Sequence, residues 1–312
     1  MTTATPFPVM PEGQNEAYAR IKIDDALRAS DWDILDPMQV HFEASGGSGR
    51  ADYILKNQQG AAICVVEAKR EDEDPYDAKE QARGYADNCN AQFIILSNGS
   101  EHWFWNYRRD NQDAYRIGRF PSLKDLERLS LKNMHPARSL MSEVVGPEYL
   151  QEERSDITLR RYQIDAIDTL SKQYDERQKK QFLLEMATGT GKTLLCAALI
   201  RRFLRTQNAE RVLFIVDRID LATQTLEDFG VILHDYSPVL YKTARRRPQD
   251  LLGSCVVVAT LQSLMHGQRY RDEFTPFHFD LVINDEAHRS IYGDSKEVVH
   301  YFQATRAGLT AT

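Results

Sequence analysis

Two α/β domains are what this sequence predicts, the second of them a doubly wound parallel sheet. Three observations carry that expectation. The chain has 312 residues, 42% hydrophobic and 27% charged, which is enough for about two domains with separate cores. Its second half alternates short, uniformly apolar runs with helical stretches, the pattern of parallel strands covered on both faces. Its first half has strand-like runs joined by turn residues and a different charge. Residues 1–150 hold 17 basic and 24 acidic side chains and residues 151–312 hold 22 of each, so the whole net charge of −7 lies in the first half.

That balance is too acidic for a polybasic nucleic-acid coat, although it leaves room for a local basic surface. Cys64, Cys89, Cys196 and Cys255 are scattered with no C-x-x-C pair, so neither a metal cage nor a disulfide framework is expected. Met1 to Met10 lacks the basic and apolar regions of a secretory leader, and no apolar run approaches the ~20 residues of a membrane span. A cytoplasmic protein is expected.

Along the chain, residues 1–15 are rich in Pro, Thr and Gly and read as a flexible arm. Residues 16–30 carry Tyr18, Ile21, Ile23, Ala26 and Leu27 near helical spacing. Strand-like runs follow at Val40–Phe42, Ala51–Leu55, Ala61–Glu67, Gln92–Ser97 and His102–Tyr107, with Asn98-Gly99 as a turn between the last two. A helix is expected over 77–90. These elements make a first domain over 16–110. Residues 111–156, polar and broken by Pro121, Pro136 and Pro147, read as a helical extension and linker, with the boundary near 150–156. The second domain, 157–312, has apolar strands at Phe182–Met186, Val212–Val216, Cys255–Ala259 and Leu281–Ile283, and helices at Leu194–Arg205 and Leu221–Phe229.

Met186-Ala187-Thr188-Gly189-Thr190-Gly191-Lys192-Thr193 follows the first of those strands and opens a helix. This is the setting a phosphate-binding loop requires. Gly189 and Gly191 let backbone N–H groups turn toward phosphate oxygens, and the helix N-terminus adds its dipole. Lys192 would reach the β- and γ-phosphates of ATP, and the Thr193 hydroxyl would ligate Mg²⁺. Leu281-Val282-Ile283 ends in Asp285 and Glu286 after Asn284. Asp285 would hold Mg²⁺ and Glu286 would orient the attacking water. Taken alone, two acids at a strand end also describe a solvated turn; a phosphate loop on the same sheet favours the catalytic reading.

Asp285-Glu286-Ala287-His288 is a DEAH box, and with it the chain resembles superfamily 2 helicases and translocases, whose motor domains are RecA-like. The resemblance implies adenine recognition by Gln163 in Arg161-Tyr162-Gln163 and adds Thr188, Thr190 and His288 to the nucleotide site. It implies DNA-backbone contacts from Arg218 in Val216-Asp217-Arg218 and from Thr260 and Gln262 in Ala259-Thr260-Leu261-Gln262. Each of those three also fits a packing or capping role. In Leu309-Thr310-Ala311-Thr312, Thr310 and Thr312 would couple hydrolysis to movement. Family members continue into a second RecA-like domain that supplies an arginine finger, worth about 10³–10⁵ in rate. The 312-residue chain is therefore expected to bind ATP weakly and hydrolyse it poorly.

In the acidic half, Gln59-Gly60 can close a hairpin between Ala51–Leu55 and Ala61–Glu67. That register sets Asp52 opposite Glu67, about 5 Å apart on one face. Lys69 lies two residues beyond Glu67, on the same face by the period of two. Two carboxylates, a Lys and Mg²⁺ suit phosphodiester hydrolysis. The pattern Asp52…Glu67-Ala68-Lys69 resembles the PD-(D/E)XK nuclease core, a restriction-endonuclease-like α/β/α fold. Gln81 and Tyr85, at i and i+4 on the next helix, could line the cleft, and Glu16 stands where that family places a further acidic metal ligand. A nuclease ahead of a DEAH motor resembles the R (restriction, motor) subunit of type I restriction enzymes. The local match includes Asn15-Glu16 with Ile23-Asp24, Ala51-Asp52-Tyr53, Val66-Glu67-Ala68-Lys69, Gln81…Tyr85 and Ser97-Asn98-Gly99 before Trp103. The resemblance implies an endonuclease and translocase acting on double-stranded DNA with ATP and Mg²⁺, alongside methyltransferase and specificity subunits. Two other readings fit the same residues: a stand-alone DNA-repair helicase with an inactive nuclease-fold domain, and a non-catalytic chain that binds DNA or partners. Arg108-Arg109, Arg160-Arg161, Arg201-Arg202 and Arg245-Arg246-Arg247 read as solvated surface or DNA contacts, and Glu71-Asp72-Glu73-Asp74 as a solvated cluster that would repel DNA.

Overall fold

The computed structural model of the chain describes residues 16–42, 51–108, 113–152, 156–187, 189–285 and 294–311. The arm expected over 1–15 lies outside them. The chain divides into two compact units, Met1–His135 and Pro136–Thr312.

The first unit begins with α1 (Glu16–Arg28), β1 (Val40–Phe42), β2 (Tyr53–Lys56) and β3 (Ala62–Ala68). It continues with α2 (Lys79–Cys89), β4 (Phe93–Ser97), β5 (His102–Trp105), β6 (Tyr115–Ile117) and α3 (Leu123–Met134). The strands form one sheet in sequence order, β1 to β6. Only β3 and β4 run parallel; the other neighbours are antiparallel. β3 is buried at six of its seven positions, as a central strand covered on both sides must be. Over one face lies a small-residue layer in which Ala78, Ala82 and Ala86 of the α2 segment meet Val65, Ile94 and Leu96. The β2–β3 register is the expected one: Tyr53 pairs with Val66, Ile54 with Val65 and Leu55 with Cys64. The turn that fixes it is closed by Asn57, whose carboxamide oxygen accepts from Gln59 N (3.0 Å) and Ala61 N (2.9 Å). Gly60 takes φ +78° there, a conformation open to glycine without strain.

Two expectations for this unit change. α1 buries Ala19, Ile23 and Leu27, whereas Tyr18 and Ile21 are exposed; the stripe that packs is i, i+4, i+8 from Ala19. Residues 113–135 are not an extension, because β6 completes the sheet and α3 packs against β3. α3 starts at a capping box, in which the Ser122 hydroxyl accepts from Asp125 N and the Asp125 carboxylate accepts from Ser122 N.

The second unit holds α4 (Arg161–Arg177), β7 (Gln181–Glu185), α5 (Lys192–Arg205), β8 (Val212–Val216) and α6 (Ile219–Ile232). Then come β9 (Val239–Leu240), α7 (Tyr241–Ala244), α8 (Pro248–Gly253), β10 (Val256–Thr260), α9 (Leu261–Met265) and α10 (Arg269–Glu273). It closes with β11 (Leu281–Asn284), α11 (Asp294–Tyr301) and β12 (Thr305–Thr310). The strand order is β7-β12-β11-β8-β10-β9, every pair parallel, which is the doubly wound sheet expected. Apolar cores lie on both faces, one under α5 and α6 and one under α9, α10 and α11.

The segment after Pro136, expected to be linker, belongs to this unit. Asp175 of α4 accepts from Ser139 Oγ (2.6 Å) and Leu140 N (3.0 Å). Arg201 and Arg202 on α5 are each 1% exposed, so they are neither surface residues nor DNA contacts. Arg202 donates to Leu140 O (2.7 Å), to the Asp168 carboxylate (2.7 Å) and to the Met141 sulfur. Arg201 donates to Tyr149 O and Ile232 O, both at 3.0 Å. Buried guanidinium groups need acceptors, and here the incoming segment supplies the carbonyls of Leu140 and Tyr149 and the Met141 sulfur.

Candidate functional site

In the first unit the chemistry gathers where β2 begins and β3 ends. Asp52 lies one residue before β2, in register with Glu67. Its Oδ2 accepts from Ala68 N at 2.8 Å, which fixes the carboxylate at the end of β3. Its Oδ1 receives the Arg20 guanidinium of α1. Glu67 is 4% exposed, and its Oε2 is buried without a hydrogen-bond partner. Burial first, then the Asp52 carboxylate, pushes the Glu67 pKa up to about 8, against the opposing charges of Lys69 and Arg20. Burial likewise raises Asp52, opposed by the Ala68 hydrogen bond and by Arg20.

A buried acceptor with no donor beside a like charge is the inverse of a satisfied core. It fits a hard divalent cation with oxygen ligands, such as Mg²⁺. Lys69 follows the last residue of β3, with its N–H on Ser97 O (2.8 Å), and its ammonium charge acts on both carboxylates. Glu16 is not drawn into a three-acid set. Arg20, one turn along α1, accepts it as a partner at 2.9 Å and holds it at the surface. Among the described residues no group of three or more His, Cys, Asp or Glu is placed to hold a metal. Gln81 and Tyr85 share a face of α2 as expected, and Gln81 Nε2 donates to Tyr85 Oη (2.8 Å). The acidic run behind Lys69 is not simply solvated. Glu71 is ion-paired with Lys22 and accepts from Ser100 Oγ (2.9 Å). Asn98 Nδ2 holds the carbonyls of Glu71 (3.3 Å) and Glu73 (3.0 Å).

In the second unit the phosphate loop leaves the carboxyl end of β7 and enters α5 at Lys192. Gly189 and Gly191 have φ +75° and +79°. At Gly191 a Cβ would stand 2.7 Å from Gln163 Nε2, so sterics as well as conformation demand glycine. Gln163 is 1% exposed and its amide is fully used. Oε1 accepts from Arg160 N (2.8 Å), and Nε2 donates to Thr190 O (3.2 Å) and Gly191 O (3.0 Å). Tyr162 Oη also donates to Thr190 O (2.6 Å). These bonds also tie Gln163, the residue expected to read adenine, to the phosphate loop. Met186 N donates to Thr310 O (2.8 Å), joining the loop's root to the strand that carries the coupling motif. Asp285 lies just past β11, its N–H on Ile215 O of β8 (2.9 Å). Burial pushes the Cys196 thiol far up, with Asp285 adding to the shift and Lys192 opposing it. The two charged groups thus act on one point, a turn into α5. Thr193 occupies the first turn of α5. Thr188, Glu286, His288 and Thr312 lie outside the described residues.

Arg218 caps α6 and Thr260 caps α9, at the carboxyl ends of the adjacent strands β8 and β10. Arg218 is exposed beside Asp217 (3.5 Å), and Gln262 is exposed. Thr260 is 8% exposed and its hydroxyl accepts from Ser263 N (3.2 Å). Its hydroxyl is thus used as a cap, while Arg218 and Gln262 are exposed at the same edge.

Residues 156–312 match the family described as "Type III restriction enzyme, res subunit", and residues 34–121 match "Type I restriction enzyme R protein N terminus". The chain belongs to the family described as "Type III restriction enzyme, res subunit". Its curated relatives include type I endonuclease subunits and, at 29% identity over 154 residues, a Saccharomyces cerevisiae protein described as an ATP-dependent helicase. The chain is 28% identical over 275 residues, 84% of its length, to the EcoAI endonuclease subunit of Escherichia coli. It is 31% identical over 183 residues, 51% of its length, to the EcoKI endonuclease subunit of strain K12. The chain spans 33% of the first relative's length and 15% of the second's. A solved fragment described as an HsdR subunit of a type I restriction enzyme, from Vibrio vulnificus, shares 25% identity, with 97% of this chain and 56% of that one covered at a TM-score of 0.39. Among the described residues no helix is long and apolar enough to cross a membrane.

Sequence reasoning missed Arg20, Asn57 and the role of Arg201 and Arg202. Arg20 carried a visible signal, its i, i+4 spacing from Glu16. Asn57 sits two and four residues ahead of the N–H groups it accepts from, as Asn98 of the expected turn sits two and three ahead of its own, the local pattern that makes Asn a turn residue.

Proposed function

We propose that this chain is the front part of a type I restriction R subunit, combining a Mg²⁺-dependent DNA endonuclease unit with the first half of an ATP-driven translocase. The observation that carries the nuclease reading is the register-paired Asp52 and Glu67, with Glu67 Oε2 buried and unpartnered. Asp52 and Glu67 would hold the Mg²⁺, which when bound polarises the scissile phosphate and activates water. Ala68 N aims Asp52 by occupying its other oxygen. The small-residue layer under α2 keeps bulk away from this end of β3. Lys69 contributes a positive charge beside both carboxylates, suited to holding a water or a phosphate oxygen.

In the second unit Lys192 and the inward N–H groups of the loop would bind the ATP phosphates, and Thr193 and Asp285 the accompanying Mg²⁺. Glu286 would orient the attacking water, while Arg218 and Gln262 would contact the DNA backbone. Double-stranded DNA is the substrate in this reading. Methyltransferase and specificity subunits are the partners that select the sequence, and the cytoplasm is the compartment.

The test is Mg²⁺-dependent nicking of supercoiled plasmid by the wild type, Asp52→Ala and Lys69→Ala. Nicking by the wild type at least about tenfold above either variant supports the reading. Equal nicking by all three removes it.

A further inference from the structure

Two arginines on this chain are held in opposite ways. Arg202 spends Nε, Nη1 and Nη2 on three different partners, as a permanent pin does. Arg20 spends only Nη2, shared between Glu16 Oε1 and Asp52 Oδ1, while its Nε is buried with no partner. A guanidinium that leaves part of its fork unused is poorly held in place. It also stands on the carboxylate oxygen most needed by a cation. Asp52 Oδ2 is committed to Ala68 N, so Oδ1 is the atom left to face a metal, and Arg20 covers it.

We infer that Arg20 is the metal-free counter-ion of the Asp52–Glu67 site and competes with the divalent cation for Asp52 Oδ1. On cation binding Arg20 gives up Asp52 and retains Glu16. Three features make the exchange possible. Asp52 keeps its position without Arg20 through the Ala68 N–H. Glu16, one turn away and half-exposed, is a second partner that leaves the arginine charge compensated. Glu67, with its unpartnered Oε2, takes no hydrogen bond from Arg20 and so loses none when Arg20 leaves; the incoming cation replaces the Arg20 charge that acts on it. In this arrangement Arg20 sets the cation affinity of the site, and Glu16 acts through Arg20 rather than as a ligand. The inference rests on the metal-site reading above.

The experiment is titration of the full chain with Mn²⁺, the free ion counted by electron paramagnetic resonance, with folding checked by circular dichroism. The proteins are the wild type, Arg20→Gln, Glu16→Gln, their double variant, and Asp52→Asn. Arg20→Gln is expected to bind about tenfold tighter than the wild type. Glu16→Gln is expected to bind about threefold weaker, and to have no effect once Arg20 is Gln, because the two act as one unit. Asp52→Asn removes binding. Equal or weaker binding by Arg20→Gln overturns the inference while leaving the metal site standing. So does a Glu16→Gln loss that persists in the double variant, since that marks Glu16 as a ligand. If Arg20→Gln does not fold, the exposed Glu16→Gln decides alone, and unchanged or tighter binding overturns the inference. Mn²⁺ binding indifferent to Asp52 overturns the metal-site reading and this inference with it.

Discussion

In the proposed reading the two units prepare for negatively charged substrates in opposite ways. The first gathers acceptors and leaves them short of donors: burial raises both Asp52 and Glu67, Asp52 raises Glu67 further, and Glu67 Oε2 has no partner. The second gathers donors and spends its rigidity on holding them. Gln163 and Tyr162 fasten the phosphate loop by Thr190 O and Gly191 O, and the glycines supply the left-handed turns. One site stores electrostatic cost and the other conformational cost. A cation relieves the first, whereas anionic phosphates fill the second without any charge having been buried beforehand. The electrostatic cost reads out as pH dependence, and the conformational cost as sensitivity to a single methyl group.

The largest effect that can break this contrast is at Glu67. Its folded pKa, about 8, stands above the ordinary 4.5. The folded state therefore keeps a proton that the unfolded state releases, and stability falls as pH rises from about 4.5 to about 8. Glu67→Gln removes that loss. Without divalent ions it is expected to stabilise the chain by about 2–5 kcal/mol at pH 8 and by about zero at pH 4, measured by urea unfolding. A gain independent of pH would mean that Glu67 carries no stored charge cost.

Next is Arg202. Arg202→Met strands the Leu140 carbonyl and the Asp168 contact and is expected to cost about 3 kcal/mol. It should also release the segment around residues 139–142 to hydrogen exchange. Loss below about 0.5 kcal/mol would make the clamp ornamental. Gly191→Ala follows, with an expected cost of about 1–3 kcal/mol from the left-handed φ and from collision with Gln163 Nε2. Binding of a fluorescent ATP analogue should fall by about tenfold or more as Gln163 is pushed off. Unaltered binding would show that the loop does not depend on Gln163. The smallest effect is at Thr260. Thr260→Ala should cost about 1 kcal/mol as a lost cap and leave DNA affinity unchanged, while Gln262→Ala should do the reverse. A larger DNA effect at Thr260 would return that residue to the DNA-binding edge.

Much of this contrast was legible in the sequence, for reasons that differ by unit. The phosphate loop and the parallel strands announce themselves because glycine spacing and uniformly apolar runs are local signals. The pairing expected of Asp52 with Glu67 was legible from the Gln59-Gly60 turn signal, but the loop closes Asn57 on Ala61, and a register shift between Leu55 and Lys56 restores the expected pairs from Tyr53 to Leu55. What was not legible is long-range. β6 is three residues long with only Ile117 buried, too short for a pattern. Arg201 and Arg202 look like surface charges until Tyr149, Ile232 and Leu140 bring their carbonyls. Gln163 shows its ties to the carbonyls of Thr190 and Gly191 only once α4 is set beside the loop. α1 shows two apolar stripes, and only packing against the sheet selects the one through Ala19, Ile23 and Leu27.

The most direct measurement of the central claim is an anomalous-scattering map from crystals of the chain soaked in Mn²⁺. A peak between Asp52 and Glu67, within ligand distance of Glu67 Oε2 and Asp52 Oδ1 and with Arg20 turned to Glu16, is the expected result. No peak there, or Mn²⁺ bound elsewhere with Arg20 still on Asp52, would contradict it.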